Sequence, residues 1–436
     1  MPILSASHRL LAGLQLLGLG IAAVSGAVVT PRSVATDLQG LVRSSPVGIT
    51  LRERWSDFEA PAPVVVVNAT CESDIQAVVK YCSRNSVPLL PQNGGGGWAV
   101  FKNSNINAPV GVVLNLAGLK QVKVSADKQT AVIGGGALIS DVVAAADAAG
   151  VLVQTGNCNC VGALGAGLGG GYGNLIGEQS MAVDNMLSLR VVTAKGEAID
   201  VNPKTNPELW YAMRGAGPNF GIVTYATYKA IPTADRHAWL MTLTFDGSRA
   251  AEVAQAVQDL PLLPNQVIFY ILSNGGVMLS GFLRGGDEVS GRKAFAPLYA
   301  LGGAIAETSV VSNYTQWNVP NDFFCARGGR KPAFGTALHS MNGSDWNSIF
   351  NLYNDFRQLP TAGNSAVLVE RYNMTKARSV GRGASAVPDE LRFDSFAQAV
   401  AIPWYEDASL DAQALDFASK ARDLMAGPAG GKANPG

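Results

Sequence analysis

Residues 156–177 read GNCNCVGALGAGLGGGYGNLIG, and eight of the eighteen residues from Gly156 to Gly173 are glycine. Glycine lacks Cβ, so the backbone can lie directly against a ligand. A run this dense brings backbone N–H groups to a phosphate or a flat ring system. A flexible linker would mix Gly with Ser and lack apolar residues. Here Val161, Leu164, Leu168, Tyr172, Leu175 and Ile176 interleave, which marks a packed element.

Two phosphate-binding fingerprints fail on this run. A P-loop requires G-x-x-x-x-G-K-[ST], and no Lys follows these glycines. A dinucleotide fold requires G-x-G-x-x-G early in a βαβ unit, whereas Gly165–Gly170 matches by letter only and far from the start. A third pattern fits. Gly156, Cys158, Val161-Gly162, Gly165, then Gly169-Gly170-Gly171-Tyr172-Gly173, then Asp184-Asn185, then Val192-Thr193-Ala194-Lys195-Gly196 keep one order and spacing. The match continues from Leu209 through Arg214-Gly215 and Asn219-Phe220-Gly221-Ile222-Val223-Thr224. Over roughly seventy residues the chain resembles the flavin-binding core of the vanillyl-alcohol oxidase superfamily, in its berberine-bridge-enzyme-like branch, fungal type.

The resemblance implies FAD as cofactor and an α+β fold: a PCMH-type FAD-binding domain of two subdomains over residues 61–232, then an α+β substrate domain over 233–426. It implies cofactor contacts from Asn93, Gly94, Gly95, Gly96, Gly97, Gly156, Cys158, Val161, Gly162, Gly165, Gly169, Gly170, Gly171, Asp184, Gly221, Ile222 and Val223. In relatives a loop ending G-G-H carries a histidyl flavin link. Here Gly97 stands at that place, and no His lies between His8 and His237, so that link is chemically impossible. Cys158 aligns with the cysteine that bonds flavin C6, which leaves a monocovalent link through Cys158 open. Gly156 resembles the small residue that leaves room for O2 beside the ring. Relatives continue past the equivalent of Gly436 with a closing segment, so a non-catalytic flavin-fold glycoprotein stays open as the alternative to an enzyme. A carbohydrate oxidase is the other alternative.

The residues outside the core agree with this frame. The 436-residue chain is 47% hydrophobic and 15% charged, enough for a large core and unlike a disordered chain. Lys+Arg and Asp+Glu both number 33, and no basic cluster appears, so nucleic acid is not the expected partner. The only histidines are His8, His237 and His339, no Cys/His ligand spacing occurs, and no metal site is expected. His8 and Arg9 precede an apolar run, Leu10 to Val24, that ends in Ser25-Gly26-Ala27; residues 1–27 read as a secretory signal, with no membrane anchor after them. Sequons at Asn68, Asn313, Asn342 and Asn373 fit a secreted glycoprotein. Five cysteines is an odd number; Cys71 and Cys82 bracket one predicted helix and Cys158 and Cys160 are too close to pair, which leaves Cys158 free.

Along the chain, residues 28–60 read as a mixed lead-in. Val64–Val67, Val87–Leu90 and Val110–Leu116 read as strands around a helix over Asp74–Arg84, and Leu138–Ala149 as a second helix. Met186–Thr193 and Ala198–Val201 form a hairpin, and Gly221–Ala230 a strand. Beyond Thr233, Trp239–Phe245 alternates as a half-buried strand, Val267–Ser273 and Val277–Leu283 form a hairpin on Asn274-Gly275-Gly276, and Ala366–Tyr372 and Ala397–Pro403 are strands. Ala250–Leu260, Gly291–Leu301, Ser344–Leu359 and Leu410–Met425 read as helices, and residues 427–436 as a short tail. Together they predict an antiparallel sheet covered on one face. Glu370 and Leu368 share one face of their strand. Glu370 or Tyr372 is therefore the candidate base if that face meets a small-molecule substrate, with molecular oxygen as the final acceptor. Trp404 and Tyr405 line the pocket or pack the core, and His339 is a further candidate base.

Overall fold

The computed structural model describes residues 30–50, 53–60, 65–97, 111–341 and 343–427. The expected signal, Asn342 and residues 428–436 lie outside the described residues. The β-branched run predicted at 64–67 forms the strand Val65–Asn68, which pairs in parallel with Val112–Asn115. Leu89–Gln92 flanks the same strand, and the helix Glu72–Arg84 packs Ile75, Val78, Val79 and Cys82 onto this small sheet. The lead-in is more ordered than its mixed composition suggests. Thr30 accepts from Ser33 N and starts the helix Pro31–Leu41, whose Val34 and Leu38 are fully buried.

A second, antiparallel sheet runs in the order Val122–Val124, Thr130–Gly134, Ile222–Lys229, Met186–Val192, Ala198–Val201. The glycine-rich run lies against it, and its short helix Ala163–Leu168 puts Ala163, Leu164 and Leu168 into the core that this sheet shares. Glycine is required here by proximity. A Cβ on Gly94 would sit 2.6 Å from Gly162 N and 2.8 Å from Cys160 O. Gly94 and Gly162, 68 positions apart in sequence, therefore bring the two glycine loops together backbone to backbone.

A seven-stranded antiparallel sheet follows, ordered Ala306–Asn313, His237–Asp246, Gly276–Arg284, Gln266–Ser273, Ala366–Tyr372, Ala397–Ile402, Phe334–Leu338. Helices Ala250–Asp259, Gly343–Arg357 and Asp411–Ala426 cover one face. The other face packs on the glycine-rich unit. Along Gln266–Ser273, Ile268, Tyr270 and Leu272 meet the helices, while Val267, Phe269 and Ile271 meet the other core. Two expectations change for that reason and one other. The strand at Trp239–Phe245 is half-buried only in its second half: Trp239, Met241, Leu243 and Phe245 face the helices, Ala238 and Leu240 are buried in the opposite core, and Thr242 and Thr244 stay partly exposed. The single helix expected over Gly291–Leu301 breaks into Glu288–Ala294 and Ala296–Tyr299, because Pro297 has no N–H to continue the ladder.

The connection from Tyr372 to Ala397 returns to the glycine-rich unit. Arg392, 2% exposed, donates to Asp184 Oδ2 at 2.7 Å and Oδ1 at 3.0 Å, and also to Ser385 and Ala377. Ser180 supplies a further hydrogen bond to Asp184. Removing one partner of such a pair leaves an uncompensated buried charge, at a cost of about 3–5 kcal/mol. Arg392→Met is expected to lose stability of that order in denaturant melts. The double variant with Asp184→Asn is expected to cost clearly less than the two single losses added together.

Candidate functional site

The seam between the glycine-rich unit and the seven-stranded sheet contains a cavity of about 260 Å³. Gly94, Gly96, Cys158 and Val161 line it from one side, and Leu368, Val400 and Ile402 from the sheet. Leu368 lies directly opposite Val400 in the strand register, so the sheet side is a continuous aliphatic surface. Trp55, Phe324 and Arg327 form the wall. Trp55 is fixed by donating Nε1–H to Phe324 O at 2.6 Å. Lys331, fully buried, donates to Trp55 O, Ala326 O and Gly328 O at 2.6–2.7 Å, with its ammonium 4.0 Å above the Trp404 ring. Burial pushes its pKa down to about 8. Arg327 donates to Gly94 O at 2.9 Å, and Arg54 donates to Gly97 O, so two guanidinium groups hold the second glycine loop.

The segment Asn157–Cys160 is held to residues 321–325 by covalent and polar contacts. Cys160 and Cys325 form a disulfide across 165 residues of sequence. Asn159 Nδ2 donates to both oxygens of Asp322, and Asn321 Nδ2 donates to Asn157 O. Cys158, between these anchors, is a free thiol. Burial first, then the nearby charges of Glu370 and Asp322, push its pKa up to about 12. The thiol is therefore neutral at physiological pH.

Beside Cys158 stands the pair expected from the strand pattern. Tyr372 OH donates to Glu370 Oε2 at 2.5 Å and accepts from Asn157 Nδ2 at 2.7 Å. Burial raises the pKa of Glu370, and the Tyr372 hydrogen bond offsets part of that rise. Tyr372 is raised well above its ordinary value by burial and by the Glu370 charge. The remaining candidates lie elsewhere. His339 sits 3.7 Å from Glu390, Trp404 packs on Lys331, and Tyr405 OH donates to Asp411.

The residues fit a large cofactor with polar atoms. Both amide atoms of Gln154, the hydroxyl of Tyr228 and Oδ1 of Asn93 are buried without a protein hydrogen-bond partner. Buried polar groups are rarely left so. Gln154 and Tyr228 line one small cavity together with Gly156, Leu164 and Gly167. Gly94, Gly96, Cys158 and Val161 thus meet in the main cavity, Gly156 in this neighbouring one, and Gly95 and Gly97 beside Arg54 in a third. A Cβ on Gly162 would press on Asn93, one on Gly165 would meet open space, and Gly169, Gly170 and Gly171 form the turn after the short helix. Asp184 spends its carboxylate on Arg392. After Gly221, Ile222 and Val223 pair with Val192 and Val191 in the sheet.

Comparison with known proteins assigns the class. Residues 63–202 match the FAD binding domain family. The FAD-linked oxidoreductase hasG of Aspergillus fumigatus is 31% identical over 82% of this chain and 79% of its own length. The FAD-linked oxidoreductase iacH of Pestalotiopsis fici is 29% identical over 86% and 74%. Among solved structures, Physcomitrella patens BBE-like 1 superposes with a TM-score of 0.75 at 20% identity, covering 91% of this chain and 88% of that one. The xylooligosaccharide oxidase of Myceliophthora thermophila gives 0.72 at 17% identity over 90% and 87%. The chain belongs to the FAD-linked oxidoreductases and is an FAD-dependent oxidoreductase; it shares its fold with the BBE-like protein.

Asn157, Gln154, Tyr228, Trp55, Phe324 and Arg327 were not legible as site residues. Asn157 lies inside the quoted run, but nothing in its neighbours marks its amide as a contact of Tyr372.

The raised pKa of Glu370 has a stability signature. The folded chain holds this proton more tightly than the unfolded chain. The contribution is therefore fully present below the unfolded Glu pKa and lost as pH rises through the folded one. Glu370→Gln stays neutral throughout. Its melting temperature is expected to vary less across this window and to exceed that of the native chain on the alkaline side.

Proposed function

We propose that this chain oxidises a C–H bond next to oxygen or nitrogen in a small, largely apolar secondary metabolite, with Glu370 as base. The lining of the seam cavity carries the reading: Val161, Phe324, Ala333, Leu368, Val400 and Ile402 present apolar surface, and Glu370 follows Leu368 by two residues on the same face of its strand. FAD bound here supplies a two-electron acceptor for the hydride, with molecular oxygen proposed as the final acceptor. Asn93, Gly94 to Gly97, Gly156, Cys158, Val161, Gly162, Gln154 and Tyr228 are the residues proposed to hold it. The aliphatic side chains of the sheet exclude water and orient the substrate. Glu370 Oε accepts the proton that leaves the substrate hydroxyl or amine, and Tyr372 stabilises the carboxylate beforehand. Cys158 is the proposed attachment point for the cofactor.

The proposal divides the chain at about residue 232 into a cofactor-carrying part and a substrate part. Export to an oxidising compartment is included in it, since a disulfide joins Cys160 to Cys325. Asn313 is exposed and free to carry a glycan, whereas Asn373 Nδ2 is engaged with Leu262 O at 2.7 Å.

Oxygen uptake is the test. Benzylic and allylic alcohols are expected to be turned over in preference to xylobiose or glucose. Glu370→Gln is expected to lower kcat/KM by roughly 10²–10⁴-fold at unchanged flavin content. Turnover of the sugars alone, or an undiminished Glu370→Gln, would overturn the reading. The same preparation, precipitated in acid, is expected to keep flavin in the pellet and to release it in Cys158→Ala.

A further inference from the structure

We infer that Asn157 is a positioning residue: its amide holds the Tyr372 hydroxyl so that the single phenolic proton is directed at Glu370, which ties the base to the glycine-rich segment. The inference rests on the reading of Glu370 as base. Asn157 is 7% exposed and every polar atom of its amide is committed. Its Oδ1 accepts the backbone N–H of Asn174 at 2.9 Å. A backbone N–H only donates, so this contact fixes which end of the amide is oxygen and which is nitrogen. The NH2 end then faces Tyr372 OH at 2.7 Å. An amide NH2 only donates, so the Tyr372 oxygen must accept there, and its one proton has a single remaining acceptor, Glu370 Oε2 at 2.5 Å. Donation into the phenol oxygen also makes its O–H a stronger donor.

The surroundings leave this hydrogen bond as the main support of the ionised carboxylate. Phe269 and Gln398 lie directly opposite Glu370 on the two flanking strands, and neither is charged. The titratable neighbours from the other elements are the Cys158 thiol, the Tyr172 phenol and, further out, Asp322 and Arg392. Tyr172 packs with its ring centroid 5.8 Å from that of Tyr372 and spends its hydroxyl on Leu391 O. Among the described residues, no cation bonds Glu370. Asn157 therefore acts on the base through Tyr372, and without touching it.

The test is a double-mutant cycle read by pH. The acid limb of kcat/KM reports the base, which works when deprotonated. Loss of the Tyr372 hydrogen bond moves that limb to higher pH. Tyr372→Phe is expected to shift it by about one unit, a roughly tenfold lower kcat/KM on its acid side. Asn157→Leu is expected to shift it the same way by less, and to add nothing in the Tyr372→Phe background. Asn157→Asp keeps the shape and the contact to Asn174 N, guards against misfolding of the Leu variant, and is expected to shift the limb at least as far. The pH dependence of the melting temperature, which needs no turnover, is expected to move in parallel. An unmoved limb in Asn157→Leu and Asn157→Asp, or an equal shift with and without Tyr372, overturns the inference. Full activity in Glu370→Gln defeats the base reading instead, and the melting profile still decides whether Asn157 acts through Tyr372.

Discussion

The structure depends on one close contact made from two directions. The backbone of Cys160–Gly162 rests on Gly94, where no side chain would fit, and the adjoining Asn157–Cys160 is held from the other direction by the Cys160–Cys325 disulfide and the Asn159–Asp322 and Asn321–Asn157 hydrogen bonds. Glycine supplies the approach and the disulfide makes it permanent. Every feature of the seam follows from that clamp. Cys158 is carried into the cavity, Phe324 is carried to its wall, and Asn157 is carried to Tyr372. In the chain-entropy view, closing a loop of this length across two units stabilises chiefly by restricting the unfolded chain. Here it also ties together the two sides of the seam cavity.

The price of that site is visible in its electrostatics. Glu370 is held where burial disfavours its charge, Lys331 is caged where burial lowers its pKa, and Cys158 stays protonated. Lys331 is stabilised by three carbonyls and two indole faces, and its function is to hold the wall together. Among the described residues, the hydrogen bond to Glu370 comes from the Tyr372 phenol. Burial raises the pKa of Glu370, and the Tyr372 hydrogen bond offsets part of that rise. The two residues thus answer the same desolvation differently: Lys331 is surrounded by acceptors, whereas Glu370 receives one phenolic hydrogen bond.

Much of this was written in local sequence. The β-branched run at Val65, the glycine spacing and the period-two face that joins Leu368 to Glu370 each rest on a few adjacent residues, and each is found in the structure. What was not legible depends on distant partners. Cys160 gave no sign of Cys325, because disulfide connectivity is a three-dimensional fact. Trp239–Phe245 alternates by letter, yet Leu240 is buried on the second face, because a second unit covers part of the side that a lone sheet would leave to water. The edge strand Ala306–Asn313 was missed since its residues are mostly exposed and carry no core pattern. Asp184, attractive as part of a motif, is bound to Arg392, over two hundred positions away.

A crystal structure with FAD bound tests the central claim most directly. The account requires the isoalloxazine ring in the seam, with Cys158 on one side and the aliphatic surface of Leu368, Val400 and Ile402 on the other. It also requires Gln154 and Tyr228 to gain hydrogen bonds to the cofactor. A ring bound outside this cavity, with Glu370 and Tyr372 out of reach of it, would contradict the account.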